Sequence, residues 1–397
     1  MKQHRVLFLA PGVRPGTGGV ADYCAHLADA LTGEGMECHL AAWNETESGD
    51  AKSESRKRVL YLSDNSATTP GAKTARLREY LAQHEIEWVS LQFVNFGFAK
   101  RGLIKSLTAP LAAALRGRRC HIFLHELWLG AERGAKLRDK LLGGLQKRQL
   151  VGLVETLRPE EVWTSIELYR EQLAREGVSA SILPIFGNIP ISRVRTDDSI
   201  LRQLEGGPPL RKREDYFLVG LFGTINRGWP FHIVVPRILR LAGKRRVAFI
   251  LFGRNGDSVA FCEYVSSLPN TGLLVLGPLE VEAIDHVMNS MDLALASTPA
   301  EGIFKSGSAV AFLERGVPTV AVHRGLETPL APTEQAHRSL FLADDNLEQN
   351  LAAAEIPRWS HAFLPVVMQR YLELFQSPAS TIFTERTEHL GSITSEV

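Results

Sequence analysis

Residues 291–322 carry the pattern that most restricts how this chain can fold. They read MDLALASTPAEGIFKSGSAVAFLERGVPTVAV. Residues 292–296 form an apolar run typical of a buried strand, and residues 297–308 are rich in glycine, proline and serine. A helical pattern follows, which Gly316 and Pro318 end before a second apolar run. The segment therefore predicts a strand–helix–strand unit of a parallel sheet, with free backbone amides at the start of the helix.

The same alternation of apolar runs and amphipathic segments extends over most of the chain. In the first 190 residues it predicts strands at 5–10, 39–43, 59–62, 88–93, 120–124, 161–164 and 180–183, with helices between them. A second series predicts strands at 216–222, 247–252, 273–276, 292–296 and 318–322. Such alternation is typical of doubly wound α/β domains, in which helices cover both faces of a parallel sheet.

The predicted domain organisation follows from the length of the chain and from a change in composition and periodicity near its middle. A chain of 397 residues exceeds the roughly 250–300 at which one core stops growing. Residues 192–214 are polar, contain Gly and Pro and show little periodicity, which predicts a linker. We expect Rossmann-like domains over 1–191 and 215–357, facing each other across a ligand-binding cleft. A helix over 358–376 and a polar tail over 377–397 follow.

Charge and composition exclude several classes of protein. Lys and Arg total 45 against 44 acidic residues, so no overall basic character indicates a nucleic acid partner. The opening MKQHRVLFLAPG is too short an apolar run for a signal peptide and predicts a first strand of a cytoplasmic protein. No run approaches the ~18 apolar residues of a membrane span. The four cysteines have neither zinc-ligand nor redox spacing and are expected to be buried thiols.

The loop after the first predicted strand contains four glycines and two prolines within residues 10–23. Gly18 and Gly19 lack a Cβ, so their amides can approach a phosphate or a sugar hydroxyl closely. The alternative is that this glycine pair only forms a tight turn before the helix.

His125 and Glu126 directly follow the predicted strand at 120–124. A histidine at the carboxyl end of a parallel strand can hydrogen-bond a sugar hydroxyl or donate a proton, so His125 is a candidate catalytic residue. The alternative is a purely structural histidine.

Two strand ends of the second domain carry glycine and arginine. After strand 216–222 the chain reads Gly223, Thr224, Ile225, Asn226, Arg227, and Arg227 offers a planar cation suited to a diphosphate. Gly253 and Arg254 follow strand 247–252 in the same way. We expect Gly223, Thr224, Asn226, Arg227, Gly253 and Arg254 to contact the bound nucleotide. The alternative for Arg227 is a solvated surface position, and the alternative for Arg254 is that it only caps the loop.

The loop before the last predicted helix combines one cation and one carboxylate. Lys305 is expected to neutralise phosphate charge, while Glu301 accepts sugar or ribose hydroxyls. Ser306, Gly307 and Ser308 supply amides at the helix start. A local surface salt bridge between Lys305 and Glu301 is the alternative. No His, Asp or Glu cluster has metal-ligand spacing, so neither a metal nor a resident cofactor is expected.

Taken in order, these segments resemble the GT-B fold retaining glycosyltransferases of family 4, over nearly the whole chain. The resemblance rests on PGTGGVADY in the first loop, HEL after a strand, FGNIP before the linker, the FG...RG turn at 222–228, and DLAL through TPAEG to GVPTVA. It implies an acceptor-binding amino-terminal domain and a carboxy-terminal domain that binds a nucleotide sugar. It also implies a last helix that crosses back to the first domain.

The chain departs from the family pattern at the donor site. The family has two glutamates separated by seven residues, but the second position is Ala311 here. Glu301 lies two residues before the first position, and Glu314 lies nearly one helical turn after the second. The resemblance therefore leaves the ribose contact unassigned.

The resemblance implies metal-independent transfer of a sugar from a nucleotide diphosphate to an acceptor hydroxyl, with retention at the anomeric carbon. His125, Glu301, Lys305 and Arg227 are the residues expected to take part. The acceptor is a carbohydrate, a lipid-linked molecule or a small molecule. The alternatives are a GT-B sugar-nucleotide epimerase, a phosphorylase or synthase of the glycogen type, and a nucleotide-sugar-binding protein without catalysis.

The helix predicted at 134–157 carries five cations beside four leucines. This composition fits either a solvated helix face or a peripheral contact with the inner face of an anionic membrane.

Overall fold

The computed structural model describes residues 4–46, 58–63, 69–130, 136–191, 199–205, 212–323, 338–356 and 362–378. The chain divides into two units. The first comprises Met1–Ser165, Tyr169–Leu183 and Val366–Val397, and the second comprises Ile166–Leu168 and Pro184–Pro365. The end of the polar tail predicted at 377–397 lies outside the described residues, as do the first residues of the helices predicted at 134–157 and 358–376.

Unit 1 is built on a sheet of seven parallel strands in the order β3-β2-β1-β4-β5-β6-β7. Its strands are β1 (Arg5–Ala10), β2 (Glu37–Ala42), β3 (Val59–Tyr61), β4 (Trp88–Phe93), β5 (Arg119–Leu124), β6 (Glu161–Thr164) and β7 (Ser181–Ile182). The helices of this part of the chain are α1 (Gly19–Gly33), α2 (Pro70–Gln83), α3 (Asn95–Phe98), α4 (Lys105–Ala114), α5 (Leu137–Leu157) and α6 (Glu167–Arg175).

Unit 2 is built on six parallel strands in the order β10-β9-β8-β11-β12-β13. These are β8 (Tyr216–Phe222), β9 (Arg246–Phe252), β10 (Thr271–Gly277), β11 (Leu293–Leu295), β12 (Thr319–Ala321) and β13 (Leu340–Leu342). Its helices are α7 (Ser199–Glu205), α8 (Phe231–Ala242), α9 (Val259–Ser266), α10 (Val281–Ser290), α11 (Gly307–Glu314) and α12 (Leu347–Ala353). The last helix of the chain is α13 (Phe363–Gln376).

The strands of both sheets are nearly continuous apolar runs because both faces of each sheet are buried. In unit 1 the side chains of Leu7, Val89 and Ile122 are fully buried in a core beneath α2, α4 and α5. In unit 2 two separate clusters of buried side chains occupy the two faces of the sheet. A parallel strand covered on both faces favours apolar residues at every position, so the prediction of two doubly wound α/β domains is confirmed.

The opposite face of the unit 1 sheet is covered by α13, whose aromatic side chains pack on the strands. The Tyr371 ring lies 4.9 Å from the Trp163 ring, and the Phe375 ring lies 5.3 Å from the Trp88 ring, between centroids. The Trp88 indole also donates a hydrogen bond of 3.1 Å to the Phe375 carbonyl. Aromatic packing of this kind accounts for the position of a helix that is distant in sequence.

The structure differs from the predicted elements at a few places. Helix α7 lies within 192–214, which was predicted to be a linker without regular structure, and its Ile200 is buried in the unit 2 core. Three apolar residues, Ile200, Leu201 and Leu204, mark this seven-residue helix, which is too short to show periodicity. Strand β13, of three residues, and helix α12, of seven, were not predicted because they are also short. The four cysteines are free thiols; three are buried and Cys262 is partly exposed. Among the described residues, no helix is long and apolar enough to span a membrane.

Candidate functional site

A pocket of about 190 Å³ opens at the carboxyl ends of β8 and β11. The chain runs outward from β8 to β10 on one side of this point and from β11 to β13 on the other. Ligands of open α/β sheets bind where the strand order reverses in this way. The lining comprises Leu221, Phe222, Gly223, Thr224, Ile225, Asn226, Leu295, Ala296, Ser297, Thr298, Ser306, Ser308, Ala309 and Phe312.

Gly223 brings the loop after β8 against the start of α11. Its φ is +80°, and an added Cβ would lie 2.7 Å from the Ser308 hydroxyl. Any side chain at this position would therefore be strained by its backbone conformation and would also push Ser308 away. Glycine is required at this wall of the pocket.

Hydrogen bonds tie together the two loops that form the pocket. The Asn226 amide donates to the Ser297 hydroxyl at 3.0 Å, and that hydroxyl donates to the Thr224 carbonyl at 3.0 Å. The Asn226 side-chain amide lies 3.4 Å from the Thr298 hydroxyl. The loops after β8 and β11 therefore form one preorganised structure.

Asn255, which the sequence did not indicate, supports this wall from behind. Its buried side-chain amide donates to the carbonyls of Gly223 at 3.2 Å and Phe252 at 3.1 Å. The Asn255 carbonyl in turn accepts from the Ile225 amide at 3.1 Å. The signal was an Asn-Gly pair after a strand, which sequence reasoning alone assigns to an ordinary turn.

Gly253 and Arg254 support the loop instead of lining the pocket. Gly253 has a φ of +77°, and an added Cβ would lie 2.9 Å from the Phe222 ring. The Arg254 side chain is exposed, while its carbonyl accepts from the Thr224 hydroxyl at 3.3 Å. The structure therefore shows a backbone contribution from both residues.

The start of α11, which contributes Ser306 and Ser308 to the pocket lining, carries unpaired backbone donors. Ser306 is the N-cap residue, and its hydroxyl accepts a long hydrogen bond of 3.4 Å from the Ala309 amide. Among the described residues, the backbone amides of Gly307 and Ser308 donate to no acceptor. First-turn amides together with the helix dipole favour an anion. The pocket is therefore suited to a phosphate group or a carboxylate.

Two exposed cations belong to the loops of this pocket. Arg227 follows the lining residue Asn226, and Lys305 precedes the lining residue Ser306. Glu301 differs from both, because its carboxylate is only 3% exposed and lies 3.2 Å from Nδ1 of His323. Its predicted contact with a sugar or ribose hydroxyl stays a prediction.

The structure gives a physical reason for Ala311, the position at which the family carries its second glutamate. Ala311 is fully buried, and it faces Gly187 and not the pocket. A Cβ added to Gly187 would lie 2.6 Å from the Ala311 Cα, so the two chain segments touch backbone to backbone. Ala311 therefore packs against the chain segment of Gly187 and does not contribute to the pocket lining.

Glu314 and Arg315, at the other end of α11, hold the segment 184–191. The buried Glu314 carboxylate accepts from the amides of Gly187 at 3.0 Å and Phe363 at 2.8 Å. Burial raises the pKa of Glu314 to about 7, although both hydrogen bonds and the Arg315 charge act in the opposite direction. Arg315 is fully buried, pairs with Asp285 and donates to the Pro190 carbonyl at 2.9 Å. Glu314 therefore has a structural role, and its position nearly one helical turn after the second glutamate of the family pattern does not bring it into the pocket lining.

The candidate residues of unit 1 lie in two different environments. Gly18 and Gly19 are exposed at the start of α1, with nothing within 4 Å of an added Cβ. The preceding loop is held by Glu45, whose carboxylate accepts from the amides of Val13 at 2.8 Å and Arg14 at 3.1 Å. This loop is open to a ligand, and its predicted role stays a prediction.

His125 is buried at the end of β5 and belongs to a polar layer on the face of the sheet. Its Nε2 lies 2.9 Å from Oε1 of Gln92, and its ring stacks on Phe123 with centroids 4.4 Å apart. Gln92 donates to the hydroxyls of Ser90 at 2.7 Å and Tyr371 at 3.2 Å. Burial lowers the pKa of His125 to about 3, so the imidazole is neutral near pH 7. It can offer a hydrogen bond there but not the proton of an imidazolium.

The structure thus brings together five of the predicted residues, all in unit 2. Gly223, Thr224, Asn226, Ser306 and Ser308 line one pocket. Among the described residues, no group of three or more His, Cys, Asp or Glu side chains is placed to hold a metal ion.

Comparisons with known proteins identify the fold. No family model matches the sequence, and neither does any curated protein. Among solved structures, a glycosyltransferase from Rickettsia africae matches with a TM-score of 0.58 and 10% identity, over 95% of this chain and 98% of that one. HepE from Anabaena, solved with UDP and glucose, matches with a TM-score of 0.51 and 13% identity, over 100% of both chains. The chain has the GT-B fold.

A third GT-B neighbour has a different assigned activity. It is a protein from Listeria monocytogenes assigned as a UDP-N-acetylglucosamine 2-epimerase, with a TM-score of 0.54, 13% identity and coverage of 95% of this chain and 98% of that one. The resemblance in fold expected from the sequence is confirmed by these structures. Because GT-B proteins include both kinds of enzyme, the fold by itself does not decide the reaction.

Proposed function

We propose that this GT-B chain is a glycosyltransferase that moves a sugar from a nucleoside diphosphate to an acceptor hydroxyl. The observation that carries the proposal is the pocket at the β8–β11 switch point, which Ser306 and Ser308 line at the start of α11, where the amides of Gly307 and Ser308 have no acceptor among the described residues. A diphosphate supplies the acceptors that these donors lack. The complex of HepE with UDP and glucose favours UDP as the first nucleotide to test.

The chemistry follows from the charge that develops during transfer. As the bond to the anomeric carbon breaks, negative charge grows on the leaving diphosphate. Arg227, Lys305 and the α11 amides stabilise that charge in the proposal, which requires no metal ion. Since hydrogen bonds between Asn226, Ser297 and Thr224 hold the loops after β8 and β11 together, the backbone of the pocket needs little reorganisation during the reaction.

The same proposal includes the stereochemistry of the transfer and the residues of unit 1 that contact the substrates. The sugar is transferred with retention at the anomeric carbon, and a leaving-group oxygen helps to deprotonate the acceptor. His125 enters as a neutral hydrogen-bond partner of the donor sugar, which agrees with its lowered pKa. Gly18 and Gly19 approach the ligands through their backbone.

The test uses Arg227→Ala and Lys305→Ala in the full chain. Each substitution is expected to lower turnover about a hundredfold, because each removes one charge that stabilises the leaving group. Lys244→Ala is the matched control, since Lys244 is an exposed cation beside the amino-terminal end of β9, at the opposite edge of the same sheet. Release of the nucleoside diphosphate from a panel of nucleotide sugars is the measurement. Near-normal turnover in both variants would refute the assignment.

The epimerase neighbour supplies a second candidate reaction with the same donor. An epimerase converts one nucleotide sugar into another with no acceptor present, whereas a transferase releases nucleoside diphosphate in proportion to acceptor glycosylated. Chromatography of the nucleotide products separates the two. A chain that only binds nucleotide sugars would raise its own melting temperature with the ligand and form neither product.

A further inference from the structure

Helix α5 presents an apolar stripe on the side opposite to its buried face. Leu137, Leu141 and Leu145 have exposed fractions of 74%, 65% and 54%. Spaced four residues apart, they fall on one side of a helix with 3.6 residues per turn. The buried positions fall on the other side and are Gly143, Gln146, Leu150, Leu153 and Leu157. We refer to Leu137, Leu141 and Leu145 as the leucine stripe.

The leucine stripe is bordered by cations. Lys136, Arg138, Lys140 and Arg148 are all exposed, and Arg148 lies on the same side of the helix as the leucines. Asp139 is the only carboxylate within 136–149. We refer to these four cations as the cationic border.

A second cationic segment lies beside α5. The Gln146 side chain donates to the Arg101 carbonyl at 2.7 Å, and the Lys105 amide donates to the Gln149 side chain at 2.9 Å. Lys100, Arg101 and Lys105 are exposed, and 95–105 contains no carboxylate. Gln146 is buried on the side of α5 opposite to the leucine stripe, so this segment adds cations near α5 but not to the stripe itself. Since the whole chain has 45 cations and 44 carboxylates, 95–105 and 136–149 together are far more basic than the rest of the protein.

We propose that the leucine stripe and its cationic border dock on the surface of an anionic phospholipid bilayer. Exposed leucines contribute by entering the boundary between headgroups and acyl chains, while the cations pair with anionic headgroups. The combination favours lipid over the other occupants. The phosphate backbone of a nucleic acid would pair with the cations but would leave the leucines in water. A second copy of the chain in a two-fold contact would bring the two cationic borders together, and they would repel each other.

Co-flotation of the full chain with vesicles tests the proposal. The chain is expected to bind vesicles of phosphatidylcholine mixed with phosphatidylglycerol, and not vesicles of phosphatidylcholine alone. The triple variant Leu137→Ser, Leu141→Ser, Leu145→Ser is expected to bind at least about tenfold more weakly. Its matched control is Val259→Ser with Val275→Ser, which removes exposed apolar side chains of unit 2 and is expected to bind normally.

A charge-reversal variant of the cationic border provides a second test of vesicle binding. Arg138→Glu with Arg148→Glu is expected to weaken binding more than about twentyfold, since each cation near an anionic surface contributes roughly fivefold. Arg76→Glu with Arg78→Glu changes the net charge equally on the exposed side of α2 and serves as its control. All variants alter exposed positions, and circular dichroism verifies that they fold.

Three results would overturn the proposal. One is equal flotation with neutral and anionic vesicles. Another is loss of binding with the charge reversal but not with the serine triple variant, which would indicate a purely electrostatic surface. The third is a dimer in sedimentation that the serine variant converts to a monomer without any vesicle binding, which would make the stripe a contact between copies. None of these readouts depends on the proposed glycosyl transfer.

Discussion

The two sheets of this protein use their polar residues in opposite ways. In unit 1, Ser90, Gln92, His121 and His125 are buried on one face of the sheet and bond to one another or to Tyr371 of α13. In unit 2, the strand ends carry small residues whose backbone groups surround a pocket. The difference shows that polar side chains beneath a covering helix stabilise the packing of a sheet, whereas open strand ends leave backbone groups available to a ligand.

The largest effect is expected from closing the unit 2 pocket. Gly223→Ala places a methyl group 2.7 Å from the Ser308 hydroxyl in a left-handed backbone conformation. We expect nucleotide binding and turnover to fall by about a hundredfold, through displacement of the α11 start. Isothermal titration with UDP and a donor-release assay are the measurements.

Gly117→Ala is the matched control for that change. Its φ of +74° imposes a similar backbone cost of about 1–2 kcal/mol, but nothing lies within 4 Å of its added Cβ. If both variants bound UDP equally well, the pocket wall would have no functional role. The contrast between the two sheets would then have no consequence for function.

A smaller effect is expected from acid, which should lower the stability of the buried polar layer of unit 1 that contains His121 and His125. Burial lowers the pKa of both His121 and His125 to about 3, with the His125 charge a further cause for His121. In the unfolded chain the pKa is ~6.5, so the unfolded state binds more protons between these values. Stability therefore falls as pH drops from 6.5 toward 3, by up to about 1.4 kcal/mol per pH unit for each histidine.

Hydrogen exchange localises that acid effect to one sheet. Amides of β4 and β5 are expected to lose protection below pH 6.5 sooner than those of β8. His121→Phe is expected to reduce the slope, because one titrating group is removed. His232→Gln, at an exposed position of unit 2, is the control. Equal loss of protection in both sheets would contradict the role of the buried layer.

The smallest effect concerns Glu314, the one described carboxylate that burial shifts to a pKa of about 7. Its unfolded pKa is ~4.3, so the folded state holds an extra proton between pH 4.3 and 7. Stability therefore decreases as pH rises through this window, by at most about 1.4 kcal/mol per unit, and is constant above it. The pH dependence of stability contributed by Glu314 is therefore opposite in sign to that contributed by His121 and His125.

Glu314→Gln removes that titration and leaves one of the two amides, of Gly187 or Phe363, without its acceptor. The difference in unfolding free energy between Glu314→Gln and the unaltered chain should therefore change with pH only between about 4.3 and 7. Urea titrations at several pH values measure it. A difference that is independent of pH would show that Glu314 does not titrate in that range.

Much of the fold could be predicted because local patterns repeat. Strands β1, β4, β6 and β8 occur at the predicted residues, since continuous apolar runs bounded by turns allow few alternatives. Elements with weak patterns were missed, as α7 and β13 show. The polar turn before α11 also contains a 3-10 helix at Ala300–Lys305, whose irregular spacing no periodicity indicates.

The sequence by itself determined the two parallel-sheet domains and the general position of the unit 2 pocket, because hydrophobic period and glycine-rich strand ends act locally. Only the tertiary structure decided which residues serve that pocket. Burial of Glu301 against His323, neutralisation of His125 under a covered face, and the contact of Ala311 with Gly187 all join residues distant in sequence. Burial and desolvation depend on such long-range packing, and no local pattern encodes them.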